Sequence, residues 1–261
     1  MMSKNLAENT VKSQNEFAQI SEETRAALMK SSTANLSNAL LKRGFRNTLM
    51  LGINPLSPGQ PKMIGPAFTL RFIPSREDID TMDAYSRDDN KHRGVMEICP
   101  KGSVLVIDAF GNTRASSMGD MMALRLKTRG VEGVVTDGGF RDVPAFIKIG
   151  LPAFQQRSAA PATPLSMHPL EWNVPIGCAG VCVYPGDIIV GDGDGVVVIP
   201  RYLVDEVAHE AAEAEMYEEF VAWHLERGRS LIGLFPANVA SKEEYNRWVK
   251  EGRPALEFYY A

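Results

Sequence analysis

Long hydrophobic runs are missing from this chain of 261 residues, and so is any excess of positive charge. No apolar stretch approaches the roughly eighteen residues of a membrane-spanning helix. The polar start lacks the apolar segment of a secretory signal. The net charge of -4 argues against nucleic-acid binding through bulk electrostatics. We therefore expect a soluble, cytoplasmic protein with no nucleic-acid or membrane partner.

Cysteine and histidine are scarce, with three and four residues respectively. Three cysteines cannot all pair within one chain, and Cys178 and Cys182 lack the CxxC spacing of a zinc or redox site. We expect reduced thiols. The histidines form no HExxH pair, so a histidine-ligated zinc site is not expected. His209 and His224 are predicted on the solvent side of a long helix.

Sequence motifs for nucleotide binding and for a serine nucleophile are also absent. GDGDG at 191–195 precedes a valine-rich strand rather than a helix carrying Lys and Ser or Thr, so it predicts a hairpin turn and not a phosphate-binding loop. There is no GxSxG nucleophile elbow. No glycine-rich loop suits a methyl-transfer cofactor, and we reject a methyltransferase.

The apolar pattern predicts one compact α/β domain with helical ends. Residues 1–30 form a polar and helical extension, 31–235 the main domain, and 236–261 a last helix with an aromatic tail. A long helix is expected after Pro200, since apolar residues recur there every three or four positions. A capping box at 241–244 predicts the start of a last helix. Residues 75–93 are charged and predict a solvated helix and loop.

The centre of the chain predicts a strand, a helix and a second strand. Residues 103–108 and 133–137 are compact apolar runs, and Gly130 ends the helix between them. In open α/β sheets, ligands bind at the carboxyl ends of the parallel strands. The turn at 119–120 and the loop at 141–142 are both expected at that edge.

Arg141 and Asp142 follow Gly138 and Gly139, which are expected to allow a sharp turn and the close approach of a ligand. A carboxylate can hold a hard cation, and a guanidinium can bind an oxyanion in a forked geometry. The dipeptide alone equally suits an Arg–Asp pair that caps the following turn. Both interpretations stay open on these residues.

Asp120 supplies a second carboxylate, and twenty residues separate it from Arg141. It stands at a helix start, where backbone N–H groups of Met121, Met122 and Ala123 are expected to bind an anion. This set of groups suits a small 2-oxo acid bound with Mg²⁺ or Mn²⁺ better than a phosphate, because hard cations favour oxygen ligands.

Residues 119–126 (GDMMALRL) and 129–142 (RGVEGVVTDGGFRD) resemble the class II 4-hydroxy-4-methyl-2-oxoglutarate/4-carboxy-4-hydroxy-2-oxoadipate aldolases. Relatives called regulator of ribonuclease activity A share their fold. The likeness covers roughly residues 30–230, including 32–34, 65–69, 184–192 and 194–200. It implies a β/β/α sandwich of the swivelling phosphohistidine-domain type, assembled as a homotrimer or homohexamer.

The resemblance also implies roles for single residues. In these aldolases an aspartate is followed, after twenty intervening residues, by an Arg-Asp pair. Asp120, Arg141 and Asp142 match that pattern here. Asp142 would coordinate the metal and Asp120 would hold water bound to it. Arg141 would contact substrate oxygens and act in catalysis, while the amides after Gly119 would bind the substrate carboxylate.

Glu218 and Glu219 stand on the long helix, at about the place where the aldolases supply a glutamate from the neighbouring chain. Glu219 is the first candidate for a catalytic acid that completes the site. Hard cations keep several waters, and those waters need acceptors around them. Solvated helix residues are the alternative interpretation for both glutamates.

The function implied by the resemblance is metal-dependent cleavage of a 4-hydroxy-2-oxo acid to pyruvate. Oxaloacetate decarboxylation is an expected side activity, because both reactions form the same enolate. Two alternatives stay open. One is a non-catalytic regulator that binds a ribonuclease or helicase, and the other is a different metal-dependent 2-oxo-acid lyase, dehydratase or hydrolase.

Overall fold

A computed structural model describes residues 19–253. The predicted polar lead up to residue 18 and the aromatic tail at 258–260 lie outside the described residues. The described helices are α1 (Glu22–Lys30), α2 (Thr33–Lys42), α3 (Met82–Ser86), α4 (Lys91–Ile98), α5 (Asp120–Thr128), α6 (Val143–Ile149), α7 (Val204–Glu226) and α8 (Val239–Lys250).

The described strands are β1 (Leu49–Met50), β2 (Asn54–Pro55), β3 (Met63–Pro74), β4 (Val104–Asp108), β5 (Ser116–Met118), β6 (Gly133–Thr136), β7 (Gly139–Phe140), β8 (Ala153–Gln155), β9 (Met167–Trp172), β10 (Ile176–Cys178), β11 (Val181–Val183), β12 (Ile188–Asp192) and β13 (Gly195–Ile199). The hairpin turn predicted at 191–195 is confirmed, because this segment joins the antiparallel strands β12 and β13.

The main sheet is organised around the twelve-residue strand β3. Its order is β1-β13-β12-β3-β4-β6-β8-β2, and β9 also pairs with β3. Residues 63–66 of β3 pair antiparallel with β12, and residues 67–71 pair parallel with β4. Strand β3 therefore joins an antiparallel half of the sheet to a parallel half.

The predicted strand–helix–strand unit is confirmed as β4, α5 and β6. Strands β4 and β6 are parallel, with Leu105 opposite Val134. Side chains of β4 alternate between two cores. Leu105 and Ile107 pack with residues of α4, α5 and α6, whereas Val104 and Val106 pack with the β10–β11 hairpin. Both faces are covered, which explains the unbroken apolar run, and the fold is a mixed α/β architecture.

Helices α1, α2 and α7 cover the antiparallel half of the sheet. Leu28 of α1 and Leu36 of α2 pack there against Val190 and Val197. Helix α1, predicted as part of an extension, thus contributes to the main core. Within residues 19–253, no helix has both the length and the apolar character needed to cross a membrane. The cysteines are free thiols, with Cys99 and Cys178 buried and Cys182 exposed.

The carboxyl-terminal helix α8 packs on the end of α7 through an aromatic cluster of Tyr217, Phe220, Tyr245 and Trp248. The cap predicted at 241 is wrong, because Asn238 caps α8 by accepting the Ser241 N–H at 2.9 Å.

The predicted solvent position of His224 is also wrong. Its ring lies 4.4 Å from the Phe220 ring, and only 14% of its side chain is exposed. The ring therefore belongs to the edge of the aromatic cluster. His209 is half exposed, in agreement with the prediction for that residue.

Replacing Trp248 with alanine should detach α8 from α7 while the sheet stays folded. Trp248 is 7% exposed and its ring lies 5.5 Å from that of Phe220, and such truncations cost about 3–5 kcal/mol. Amide hydrogen exchange should rise across α8 and stay unchanged in β4 and β6. Trp223→Ala, at a partly exposed site under Arg227, is the control with a smaller effect. Unchanged exchange of α8 in Trp248→Ala would show that the cluster does not hold the helix.

Candidate active site

A short parallel strand pair outside the main sheet brings the two predicted site segments together. Strand β5 pairs with β7, with Met118 opposite Phe140. The Arg141 N–H continues the pairing and donates to the Met118 carbonyl oxygen at 3.1 Å. Gly119 follows β5 directly, and Asp142 lies two residues after β7. The two segments are therefore neighbours, as the sequence predicts.

Gly119 leaves no space for a side chain at this junction. A Cβ atom there would lie 2.8 Å from Asp142 Oδ2 and 3.1 Å from Arg141 Nε. Its φ of -122° is ordinary extended backbone. Glycine is therefore required for close approach and not for backbone freedom. The Asp142 carboxylate and the Arg141 side chain lie directly against the start of α5.

Asp142 adopts the left-handed conformation, with φ of 56° and ψ of 35°. It is the N-cap residue of α6, yet within the described residues its side chain makes no capping hydrogen bond. The carboxylate is half exposed, and Arg141 Nε lies 3.4 Å from Oδ2. The Asp142 side chain therefore does not cap α6, although the residue stands at the N-cap position and pairs with Arg141. A left-handed non-glycine residue costs roughly 1–3 kcal/mol and persists where the surroundings enforce it.

The roles predicted for Gly138 and Gly139 are also wrong. Neither has a left-handed φ, so the sharp turn lies at Asp142. A Cβ atom on Gly138 would lie 2.9 Å from the Asn112 carbonyl oxygen. A Cβ atom on Gly139 would collide with the carbonyl oxygen of Arg157. Both glycines make room for neighbouring protein backbone and not for a ligand.

The start of α5 offers backbone N–H groups, as predicted, but not the one of Ala123. With Gly119 as N-cap, the amides without a helical partner are those of residues 119–122. The Ala123 N–H donates to the Gly119 carbonyl oxygen at 3.2 Å, and its side chain is fully buried. Its predicted role in substrate binding is therefore wrong. Asp120 Oδ1 accepts the Met121 N–H at 2.8 Å.

A cleft of about 90 Å³ opens at this helix terminus. The predicted site residues that line it are Gly119, Asp120, Met121, Met122 and Arg141. Sequence reasoning missed its other lining residues, which are Tyr85, His92, Ser116, Met118 and Thr163. The cleft thus combines an arginine, an aspartate and a helix N-terminus with a wall from the charged segment 75–93.

His92 belongs to that segment, and its predicted exposure is wrong. The side chain is fully buried and packs edge-on against Phe72, with ring centroids 5.2 Å apart. Asn90 caps α4 and thereby starts the helix just before His92. A signal was present, because His92, Val95, Met96 and Cys99 follow the three- and four-residue spacing of a buried helical face.

The imidazole of His92 is neutral and ties α4 to β5. Its Nε2 lies 2.6 Å from the Ser117 carbonyl oxygen; since a carbonyl only accepts, Nε2 carries the proton. The buried Nδ1 has no hydrogen-bond partner among the described residues. Burial lowers the pKa of His92 to about 4, with a smaller contribution from the positive charges of Arg141 and Arg93, although the Ser117 hydrogen bond acts the other way.

Glu218 and Glu219 lie elsewhere on the same chain. Burial raises the pKa of Glu218, which shares a cavity with residues of α2, and a hydrogen bond with Asn35 opposes that shift. Glu219 lines a separate cavity with Lys30 and Arg253. Neither is among the described residues around the cleft. A contribution from a neighbouring chain stays a prediction.

The donor set at the cleft fits a hard cation held largely by water. Among residues 19–253, no group of three or more His, Cys, Asp and Glu side chains is placed to hold a metal ion. Asp142 and Asp120 offer two carboxylates. Asp120 lines the cleft, whereas Asp142 lies outside its lining, against Gly119. Mg²⁺ is usually bound through one or two carboxylates together with waters and substrate oxygens, a kind of site that two aspartates can form.

The buried neutral state of His92 predicts a specific acid sensitivity. The pKa falls from 6.5 to about 4 on folding, so the unfolded chain binds the proton more readily and stability is lost as pH falls from 6.5 to 4. The loss should reach roughly 3 kcal/mol. Urea unfolding across this pH range should show the loss in the wild type and not in His92→Gln. His209→Gln, at an exposed site, is the control. Equal pH slopes for wild type and His92→Gln would contradict this assignment.

Comparison with solved structures supports the fold. An uncharacterised protein from Pseudomonas syringae pv. tomato superposes with a TM-score of 0.74 and 26% identity over 85% of this chain and 97% of that one. Streptomyces coelicolor RraAS2, described as an unusual member of the RNase ES inhibitor RraA protein family, has a TM-score of 0.70 and 31% identity over 82% of this chain and 100% of its own.

Similarity to curated proteins identifies the family of this chain. A Halalkalibacterium halodurans protein named "Putative 4-hydroxy-4-methyl-2-oxoglutarate aldolase" is 34% identical over 187 residues, or 72% of this chain and 81% of that protein. Legionella pneumophila DlpA is 31% identical over 78% of this chain, which spans only 32% of the length of DlpA. The family model described as RraA-like, Aldolase/RraA, matches residues 33–198. The chain therefore belongs to the Aldolase/RraA family.

Proposed function

We propose that the protein is a divalent-metal-dependent lyase that cleaves a 4-hydroxy-2-oxo acid to pyruvate. The observation that supports this proposal most strongly is the close approach of Asp142 and Arg141 to Gly119 at the start of α5, where a Cβ atom would lie 2.8 Å and 3.1 Å from them. This arrangement places a carboxylate, a guanidinium and a helix N-terminus together beside one cleft. The name of the similar Halalkalibacterium halodurans protein supports the same reaction class.

Each group has a distinct task in this reaction. Asp142 and Asp120 would hold Mg²⁺ or Mn²⁺, which supplies a Lewis acid for the negative charge that develops on the 2-oxo oxygen. The Arg141 guanidinium orients the substrate through two parallel hydrogen bonds to its oxygens. The amides of Met121 and Met122 would bind the substrate carboxylate at the helix terminus, and the Met121 N–H would have to leave Asp120 Oδ1 to do so.

The charges themselves favour a cation in this arrangement. Asp120 and Asp142 place two negative groups beside a helix terminus suited to an anion, and within residues 19–253 only Arg141 lies in ion-pair distance of Asp142. A substrate carboxylate would meet repulsion from the two aspartates. A divalent cation removes that repulsion and adds attraction for the 2-oxo group.

Further details of this proposal come from the family resemblance. They are oxaloacetate decarboxylation as a side activity, a homotrimer or homohexamer, a cytoplasmic location and the swivelling phosphohistidine-domain type of fold. Glu219 of a neighbouring chain is proposed to complete the site, with Glu218 as the next candidate.

A regulator that binds a ribonuclease is the second candidate function. The similarity to Streptomyces coelicolor RraAS2 favours it, because that protein is described within an RNase inhibitor family. Such a regulator would need neither a metal nor Asp120. Another metal-dependent lyase, dehydratase or hydrolase of 2-oxo acids would use the same residues on a different substrate or in a different reaction.

Removing the metal should abolish pyruvate release, and Mg²⁺ or Mn²⁺ should restore it. The measurement is pyruvate formed from a panel of 4-hydroxy-2-oxo acids and oxaloacetate. Asp142→Asn should also weaken Mn²⁺ binding, followed by electron paramagnetic resonance, by more than about tenfold, since a charged oxygen ligand is lost. Asp194→Asn, in an exposed turn, is the control. Full pyruvate release from metal-free protein would rule out the metal mechanism, and inactivity with every substrate would favour the regulator.

Arg141→Lys should impair turnover although the charge is kept. A compact ammonium group cannot reproduce the forked contact of a guanidinium. Loss of a comparable contact to an oxyanion lowers kcat/KM by an amount equivalent to ~2–4 kcal/mol. Arg157→Lys is the matched control, because Arg157 contacts Thr113 away from the cleft. A kcat/KM near that of the wild type in Arg141→Lys would make Arg141 a structural residue.

A further inference from the structure

A second cavity, of about 260 Å³, adjoins the cleft at Asp120 and Arg141. It lies between residues 79–92 and the start of β9. Tyr85, His92 and Thr163 line both spaces, so the cavity and the cleft meet at these side chains. In a 4-hydroxy-2-oxo acid, C4 lies two carbons beyond the 2-oxo carbon. A substrate whose 2-oxo acid end is held in the cleft therefore has this cavity as the neighbouring space for C4 and its hydroxyl group.

His168 and Asp80 form a hydrogen-bonded pair in the wall of this cavity. His168 Nδ1 lies 2.6 Å from Asp80 Oδ1. Because an ionised carboxylate only accepts hydrogen bonds, Nδ1 carries the proton and Nε2 of the neutral ring keeps a lone pair. In the described part of the chain, no hydrogen bond involves Nε2. The His168 side chain is 30% exposed, so a ligand in the cavity has access to this ring.

Neighbouring backbone holds both members of the pair. Asp80 Oδ2 accepts the Arg76 N–H at 2.8 Å, and only 11% of the Asp80 side chain is exposed. His168 lies opposite Ile73 in the antiparallel pairing of β9 with β3. A carboxylate that orients an imidazole, and leaves its second nitrogen free to accept a proton, is a common arrangement for general bases.

Other lining side chains are less suited to accept a proton. His92 is fully buried, and burial lowers its pKa to about 4. Asp89 accepts two hydrogen bonds from Arg87, and these lower the pKa of the carboxyl group. Arg87 and Lys91 are cations, which donate hydrogen bonds and accept none. His168 is therefore the lining side chain best suited to take a proton from a substrate hydroxyl.

We propose that His168 is the base that removes the 4-hydroxyl proton during cleavage, with Asp80 as the positioning residue that orients its ring. The inference rests on the proposed lyase function. The hydroxyl proton passes to Nε2, and the electron pair of the O–H bond forms the new carbonyl at C4. The C3–C4 bond breaks, and its electron pair goes to the enolate of pyruvate. The enolate takes up one proton at C3, which balances the proton that the imidazolium later releases.

Two reactions of the full chain, measured with Mg²⁺ present, isolate this step. Cleavage of 4-hydroxy-4-methyl-2-oxoglutarate requires the loss of a hydroxyl proton, whereas decarboxylation of oxaloacetate forms the same enolate without it. His168→Gln should lower kcat for cleavage by about a hundredfold or more, as expected for loss of a general base, and change enzyme-dependent decarboxylation by less than about threefold. Mn²⁺ binding, followed by electron paramagnetic resonance, should be unchanged.

His209→Gln is the matched control and should leave both reactions unchanged. His209 Nε2 also lies near a carboxylate, 3.7 Å from that of Glu23, but this pair lies outside the lining of both spaces. Asp80→Asn should lower kcat for cleavage with little change in KM, because an amide that donates to Nδ1 leaves the proton on Nε2. Added imidazole should restore part of the cleavage in His168→Ala, which a purely structural role would not allow.

The outcomes separate this inference from the proposed reaction. Loss of cleavage alone in His168→Gln, with rescue of His168→Ala by imidazole, would support His168 as the base. Cleavage at the wild-type rate in His168→Gln would overturn that role and keep the lyase. Equal losses of cleavage and decarboxylation would also overturn it, since His168 would then be structural. No cleavage by the wild type would overturn the proposed reaction, and the role of His168 with it.

Discussion

The pairing of β5 with β7 is the contact on which the candidate site depends. These strands have three and two residues, too few to be stable alone, so neighbouring groups hold them. Gln155 Oε1 accepts the Phe140 N–H at 2.7 Å, and Thr163 Oγ1 donates to the Ser116 carbonyl oxygen at 2.7 Å. On the other side, His92 meets the Ser117 carbonyl. The main sheet provides the platform, while this polar network sets the distance between Gly119 and Asp142.

His92 connects that network to the cleft. One ring edge fixes β5, and the same residue lines both the cleft and an adjoining cavity of about 260 Å³. An imidazolium ion there would be buried beside the positive charge of Arg141, so the neutral ring is strongly favoured. Segment 75–98 therefore lines the cleft with an aromatic ring and a neutral imidazole, those of Tyr85 and His92.

Sequence patterns predicted the platform better than the site. Strands β4 and β6 are recognisable as apolar runs, and Gly130 marks the end of α5, because burial on both faces and helix termination leave local signals. Strand β9 contains Pro169 and Glu171 and pairs with β3 alone, so no apolar pattern reveals it. The left-handed backbone of Asp142 and the close approach at Gly119 depend on residues distant in sequence. The resemblance to the aldolases identified the spacing of Asp120 and Arg141 as a functional pattern. The burial of His92 was not predicted, because the many charged residues around it indicated a solvent-exposed segment.

The side chain of Asp142 contributes little to the stability of its loop. Its backbone is left-handed, its side chain caps nothing in the described part of the chain, and Gly119 gives up a side chain to admit it. Asp tolerates this φ as Asn does, so the backbone alone does not select Asp, and a capping side chain would stabilise α6. Arg141 offsets part of this through one partly exposed ion pair, an interaction of ~0–1 kcal/mol. The combination leaves a half-exposed carboxylate beside a helix terminus, which suits the role proposed for Asp142 as a ligand of a hard cation.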